Sequence, residues 1–148
     1  MKKSGILNSK LMQGITSLGH YDIVFICDSG FPIPKGMDYV DLAIVENLPT
    51  MPQVLTAVLS EAIFSDYYIP DNMEARNPGS YKIVTELLSK QECKKVPFSE
   101  LRELALTAKL FIRTGDCRPC SNIVLVSASG VPATYTKLDI DCKLTINV

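Results

Sequence analysis

The run Ile23-Val24-Phe25-Ile26-Cys27-Asp28-Ser29-Gly30 decides the fold class. Consecutive apolar residues of strand length, with no polar alternation, mark a strand buried on both faces, as in a sheet covered by helices on each side. Asp28-Ser29-Gly30 then turns the chain, and Pro32 and Pro34 hold the segment to Lys35 extended. Upstream, Asn8 is placed to cap a first helix through Leu18, with Leu11, Ile15 and Leu18 on one face and Gly19 as its stop. Downstream, Val40 to Val45 predicts a second strand, and Pro52 suits the first turn of a helix reaching about Phe64. Asp66 to Ile69 predicts a strand, and Pro78 opens a helix ending near Ser89. Lys94 to Val96 is a short strand, and Ser99 is placed to cap a helix containing Leu101, Leu104 and Ala105. Leu110 to Ile112 and Ile123 to Val126 are further strands, the first closed by the turn Thr114-Gly115-Asp116. Strands alternating with helices predict a three-layer α/β/α domain with a central, largely parallel (mixed) sheet.

The tail reads differently. Leu138, Ile140, Cys142, Leu144, Ile146 and Val148 alternate with polar residues, which predicts a half-buried extra strand over 132–148. It serves either as an edge of the chain's own sheet or as a subunit contact. The whole chain, 1–148, reads as a single domain.

At 148 residues, 47% hydrophobic and 21% charged, the chain has the composition of a globular domain with a real core. A formal net charge of -1 gives no electrostatic case for nucleic acid or an anionic membrane as partner. No apolar run approaches the length of a membrane span, and no signal-peptide core follows Met1-Lys2-Lys3, so a cytoplasmic location is expected. Five cysteines, an odd count, argue against a disulfide framework. Cys117-Arg118-Pro119-Cys120 raises thiol redox chemistry as an alternative. A redox C-x-x-C opens a helix, however, whereas a predicted strand follows here. Two cysteines and one remote histidine also fall short of a four-ligand zinc site.

His20 is the one histidine. It stands between a helix end and the first strand, and an unperturbed imidazole titrates close to neutral pH, so it is the candidate proton donor and acceptor. A lone histidine is also commonly an ordinary surface or core residue. Asp28 at the strand's far end is a candidate ligand-binding carboxylate and equally a natural turn former.

The ordered set of motifs resembles the D-ribose pyranase / L-fucose mutarotase family. It comprises Leu7-Asn8, Leu18-Gly19-His20, Asp28-x-Gly-x-Pro-Ile-Pro, Val40-Asp41-Leu42-Ala43, Gln53-Val54-Leu55, Asn77-Pro78, Ile112-Arg113-Thr114-Gly115-Asp116 and Ser121-Asn122-Ile123. The match spans about 1–131, with the tail strand as an extension. The resemblance implies a cofactor-independent sugar isomerase acting on a reducing monosaccharide. Ring opening to the aldehyde needs only a proton delivered to the ring oxygen and one taken from the anomeric hydroxyl.

The resemblance gives His20 the proton transfer and places Asp28 and Asn122 in the sugar site, with Asp28 binding hydroxyls or orienting the imidazole. Phe98, Arg102, Cys120 and Ser121 fall at the other substrate-binding positions. Asn122 also fits a purely structural part in its loop, and Arg102 fits a solvated helix face. Three positions depart from the family pattern. Phe98 and Arg102 stand where a histidine and a lysine are expected, and Cys120 stands where a tyrosine is expected. The substrate is therefore either ribose or something less polar on that side, such as a deoxy sugar, or the chain binds sugar without turning it over. The resemblance also implies a ring-based homo-oligomer, commonly a decamer, with the sugar site near a subunit boundary. His20 and Asp28 lie early in the chain and Arg102 and Asn122 late. One domain could bring them together, and so could a neighbouring subunit, with Arg118-Pro119-Cys120-Ser121 as the loop that reaches across and Asn122 approaching the His20 of another subunit.

Overall fold

The computed structural model describes residues 2–131, and the expected strand over 132–148 lies outside them. In chain order the elements are α1 (Ser9–Thr16), β1 (Ile23–Cys27), β2 (Val40–Asp41), α2 (Met51–Glu61), β3 (Phe64–Pro70), α3 (Met73–Arg76), α4 (Pro78–Leu87), β4 (Glu92–Val96), α5 (Phe98–Leu106), β5 (Ala108–Arg113) and β6 (Ile123–Ser127). They build one six-stranded sheet of order β2-β5-β1-β6-β3-β4. β1 pairs parallel with β5, β2 with β5, and β3 with β4. β6 runs antiparallel to both β1 and β3 and joins the two parallel sets.

The continuous apolar run of β1 divides its side chains between two cores. Val24 and Ile26 pack with Leu11 and Ile15 of α1 and with Leu55 and Val58 of α2. Phe25 and Cys27 pack on the other face with Leu101 and Ala105 of α5. Phe25 stacks on Phe111 at 4.8 Å and touches Phe31 at 4.7 Å. Each such side chain contributes about 1.5–3 kcal/mol by leaving water, so β1 anchors both layers. Helices on both faces of a mixed sheet are the three-layer architecture expected from the sequence. No helix among the described residues is long and apolar enough to cross a membrane.

Local chemistry sets the element ends, and several differ from expectation. Asn8 caps α1, its Oδ1 accepting from Leu11 N at 2.9 Å. The helix ends at Thr16 and not at Leu18, because Thr16 and Ser17 hydroxyls donate back to carbonyls three and four residues earlier. Gly19 is therefore not its stop. The strand expected over Val40 to Val45 is only Val40–Asp41. The Asp41 carboxylate takes the Ala43 N–H at 3.1 Å and bends the chain away from the ladder.

The second helix stops at Glu61, since Phe64 is recruited into the sheet opposite Ser127. Ser99 does not cap α5, which begins at Phe98 behind an extended Pro97 whose carbonyl accepts from Glu100 N and Leu101 N. The four-residue α3 was not expected from the sequence.

This topology gathers five carboxyl ends, those of β1 to β5, and the amino end of β6 along one edge of the sheet. In open α/β sheets that edge is where ligands bind.

Candidate active site

Asp28, the first residue after β1, and Asn122, the last before β6, meet at that edge. The Asn122 amide bridges two groups of Asp28. Its Oδ1 accepts the Asp28 N–H at 3.0 Å, and its Nδ2 donates to Asp28 Oδ2 at 2.6 Å. The other carboxylate oxygen accepts the Gly30 N–H at 3.0 Å. Burial pushes the Asp28 carboxyl above the ordinary aspartate range, while the hydrogen bonds from Asn122 and Gly30 pull against it. A carboxylate fixed in this way can accept from sugar hydroxyls, and the second N–H of Asn122, without a partner among the described residues, can donate.

Both residues line a cavity of about 300 Å³, within the range of small-molecule sites. Phe98 and Cys120 line it too, together with Pro70 and Pro119. Phe98 is half exposed at its rim, its ring edge-on to Phe31 at 5.6 Å. The cavity thus has a polar corner, Asp28 with Asn122, and an apolar wall, with Asn72 and Arg76 completing its lining.

Cys120 adopts φ +57, a left-handed conformation that costs a residue with a Cβ about 1–2 kcal/mol. Asn77 holds it there from both sides. Its Nδ2 donates to Pro119 O at 3.0 Å and to Ser121 Oγ at 2.9 Å, while its Oδ1 caps α4 through Ser80 N. Ser121 is fully buried in this network, behind the cavity wall. The Cys120 thiol donates to Asn72 Oδ1 at 3.1 Å, and the Cys117 thiol lies 3.1 Å from Ser29 Oγ. Burial pushes the Cys120 thiol up, so it stays protonated at neutral pH. With strand β6 following, this C-x-x-C lacks the helix that a redox pair uses.

The remaining predicted residues lie elsewhere in this chain. Arg102, one helical turn after Phe98, lines a separate cavity with Pro32, Pro34 and Ser99. His20 is exposed at the opposite edge of the sheet, in a corner built by Tyr21 at φ +66. Tyr21 N donates to Ser127 O at the far end of β6, and the Tyr21 ring stacks on the imidazole at 3.7 Å. Six steps from Asp22 to Asp28, at about 3.3 Å each along the five-residue β1, put the two ends about 20 Å apart. No imidazole spans that within one chain.

Two polar residues of the cavity were missed by sequence reasoning, Asn72 and Arg76. They stand around α3, too short for a periodic signal. The one available cue was the following Asn77-Pro78, a helix start marking the loop at this edge.

A fixed carboxylate–amide pair in a cavity of monosaccharide size, at the carboxyl edge of a mixed α/β sheet, has the chemistry to accept a small polar ligand. Comparison with known proteins makes the class specific. The chain belongs to the RbsD / FucU transport protein family, whose profile matches residues 1–131. It is 39% identical over 127 residues to a D-ribose pyranase of Petrotoga mobilis, covering 86% of this chain and 97% of that protein. Against the D-ribose pyranase of Limosilactobacillus fermentum the identity is 37% with the same coverage. Among solved structures, Bacillus subtilis RbsD complexed with D-ribose superposes with a TM-score of 0.82 at 33% identity, covering 86% of this chain and 98% of that one. The fucose mutarotase of Streptococcus pneumoniae in complex with L-fucose gives 0.72 at 14% identity over 84% and 95%, a likeness of fold.

Proposed function

We propose that this chain is a cofactor-independent isomerase that interconverts cyclic forms of a reducing monosaccharide, ribose or a deoxy sugar, through the open-chain aldehyde. The observation that carries the reading is the Asp28–Asn122 pair in its cavity, within a chain whose relatives are D-ribose pyranases. Asp28 accepts from the sugar hydroxyls and Asn122 donates to them. Phe98 and Cys120 contact the less polar side of the ring. His20 is the general acid/base, giving a proton to the ring oxygen and taking one from the anomeric hydroxyl. Because His20 and Asp28 lie about 20 Å apart along β1, the imidazole in each site comes from a second copy of the chain. A cyclic homo-oligomer larger than a dimer, such as a ring-based decamer in the cytoplasm, completes the reading. Arg102 belongs to the rim of the shared site, and Ser121 positions the loop that carries Cys120.

Complementation tests the shared site. Neither His20→Ala nor Asn122→Ala alone should accelerate exchange between ring forms, read by saturation-transfer NMR. Assembled together, the two variants should regain part of the activity, since some sites receive both intact groups. No recovery in a mixed assembly that demonstrably forms would refute a site built from two copies.

A second reading, sugar binding without turnover, is favoured by the apolar wall at Phe98 and Cys120. Saturable ribose binding with no accelerated exchange in the parent protein would select it.

A further inference from the structure

Three cavities hold cationic side chains. In the one between α1 and β5 they are ion-paired, Lys10 with Asp38 at 2.6 Å and Lys109 with Asp22 at 2.7 Å. Arg102 and Arg76, in the other two, have no ion pair or side-chain hydrogen bond among the described residues, and of these two only Arg76 shares its cavity with Asp28 and Asn122. Two of the acids around Arg76 are already engaged, and the third, Asp71, whose charge also acts on Cys120, makes no ion pair with it. Glu74, two residues away on α3, is taken by Lys95 at 2.8 Å. Both oxygens of Asp28 accept from Asn122 and Gly30. The guanidinium nevertheless sits close enough to Cys120 for its charge to act on the thiol. One cavity therefore presents a hydroxyl-binding pair and an unpartnered planar cation, a fork suited to bidentate contact with a phosphate or carboxylate.

We propose that Arg76 is a specificity-determining residue that recognises an anionic substituent, a phosphate monoester or a carboxylate, on the sugar whose hydroxyls Asp28 and Asn122 bind. This rests on the sugar-isomerase reading and narrows its substrate class. The chemistry stays redox-neutral. In an aldose 5-phosphate the esterified oxygen cannot close a pyranose ring, so the reaction is exchange between furanose anomers. Protonation of the ring oxygen and loss of the proton from the anomeric hydroxyl break the C1–O4 bond and form the aldehyde. The same hydroxyl then recloses on the other face, and the protons return. In a uronate the ring stays a pyranose and the carboxylate meets the guanidinium.

Exchange catalysed by the intact protein is measured with ribose, ribose 5-phosphate and glucuronate, for the parent, Arg76→Gln and Arg76→Lys. Binding of the same three sugars is measured by calorimetry at two salt concentrations. We expect one anionic sugar to be preferred over ribose. Arg76→Gln should lower kcat/KM on it by about ten- to a hundred-fold more than on ribose, the scale of charge-assisted hydrogen bonds. Arg76→Lys should recover part of that loss, and added salt should weaken only the anionic sugar. The arm that responds, phosphate or carboxylate, names the group.

Equal losses on ribose and the anionic sugars, or no loss on either, would overturn the assignment. If no sugar exchanges but anionic sugars bind in an Arg76-dependent way, the isomerase reading fails and the Arg76 assignment stands. If ribose exchanges and no anionic sugar is preferred, the isomerase reading stands and Arg76 has no such part. Neither exchange nor binding of any sugar overturns both.

Discussion

Replacing Asn122 with alanine removes two contacts at once, and their different chemistry makes the loss depend on pH. The Asp28 N–H loses its acceptor, and the Asp28 carboxylate loses a donor at 2.6 Å. Each such loss costs about 1–3 kcal/mol in a buried setting. Asp28 faces the cavity and water can partly replace the amide, so the total should be about 2 kcal/mol, a fall of about 4–8 °C in Tm for a chain of this size.

The sign with pH follows from Asp28. Its carboxyl is raised by burial above the ordinary 3.8, so its ionisation opposes folding. That penalty is absent below the unfolded value and develops as pH rises through the folded one. Asn122 pulls the folded value down, so removing the amide enlarges the penalty. The deficit of Asn122→Ala should therefore be largest at neutral pH and shrink toward the N–H contribution alone below about pH 3.8. Urea unfolding followed by circular dichroism at both pH values reads this directly. A deficit of the same size at both would mean that groups other than Asn122 hold the carboxylate, and the account of the polar corner would be wrong.

His20→Ala should remove sugar exchange while changing stability by no more than about 0.5 kcal/mol, because the residue is exposed; unfolding, or unchanged exchange, would count against its catalytic role. Asp116 behaves oppositely to Asp28: burial opposes its charge, but Arg118 and the Met51 N–H at the start of α2 outweigh it and hold the carboxyl low. Asp116→Asn should then cost about 1–3 kcal/mol near neutral pH, and the cost should fade as pH drops through the folded value, below the usual aspartate range; a pH-independent cost in thermal melts would argue against an ionised Asp116. Phe98→His with Cys120→Tyr should raise exchange on ribose if those side chains narrow the substrate, and a folded double variant with no gain would locate the difference elsewhere in the cavity. Light scattering should give a cyclic assembly larger than a dimer, and a monomer at micromolar concentration with exchange intact would refute the two-copy site.

Local pattern determined much of this molecule from the sequence alone. The apolar run of β1 announced a sheet covered on both faces, and that burial is visible in Val24, Phe25, Ile26 and Cys27. Asn8, Thr50 with Gln53, and Asn77 before Pro78 start helices through side chains that reach only three residues along the chain, so their effect is legible locally. The family motifs carried Asp28 and Asn122, which the fold brings into contact.

Even the separation of His20 from Asp28 was available, since residues flanking a five-residue strand must lie at its opposite ends. Tertiary structure alone decided what depends on pairing across long sequence distance. It put the Asp116 carboxylate on the α2 start and buried Ser121 against Asn77. It drew Phe64 from helix into sheet and brought Arg76 of the short α3 to the cavity of Asp28. In each case the determining contact joins residues far apart in the chain or in an element too short for periodicity, and local propensity carries no trace of it.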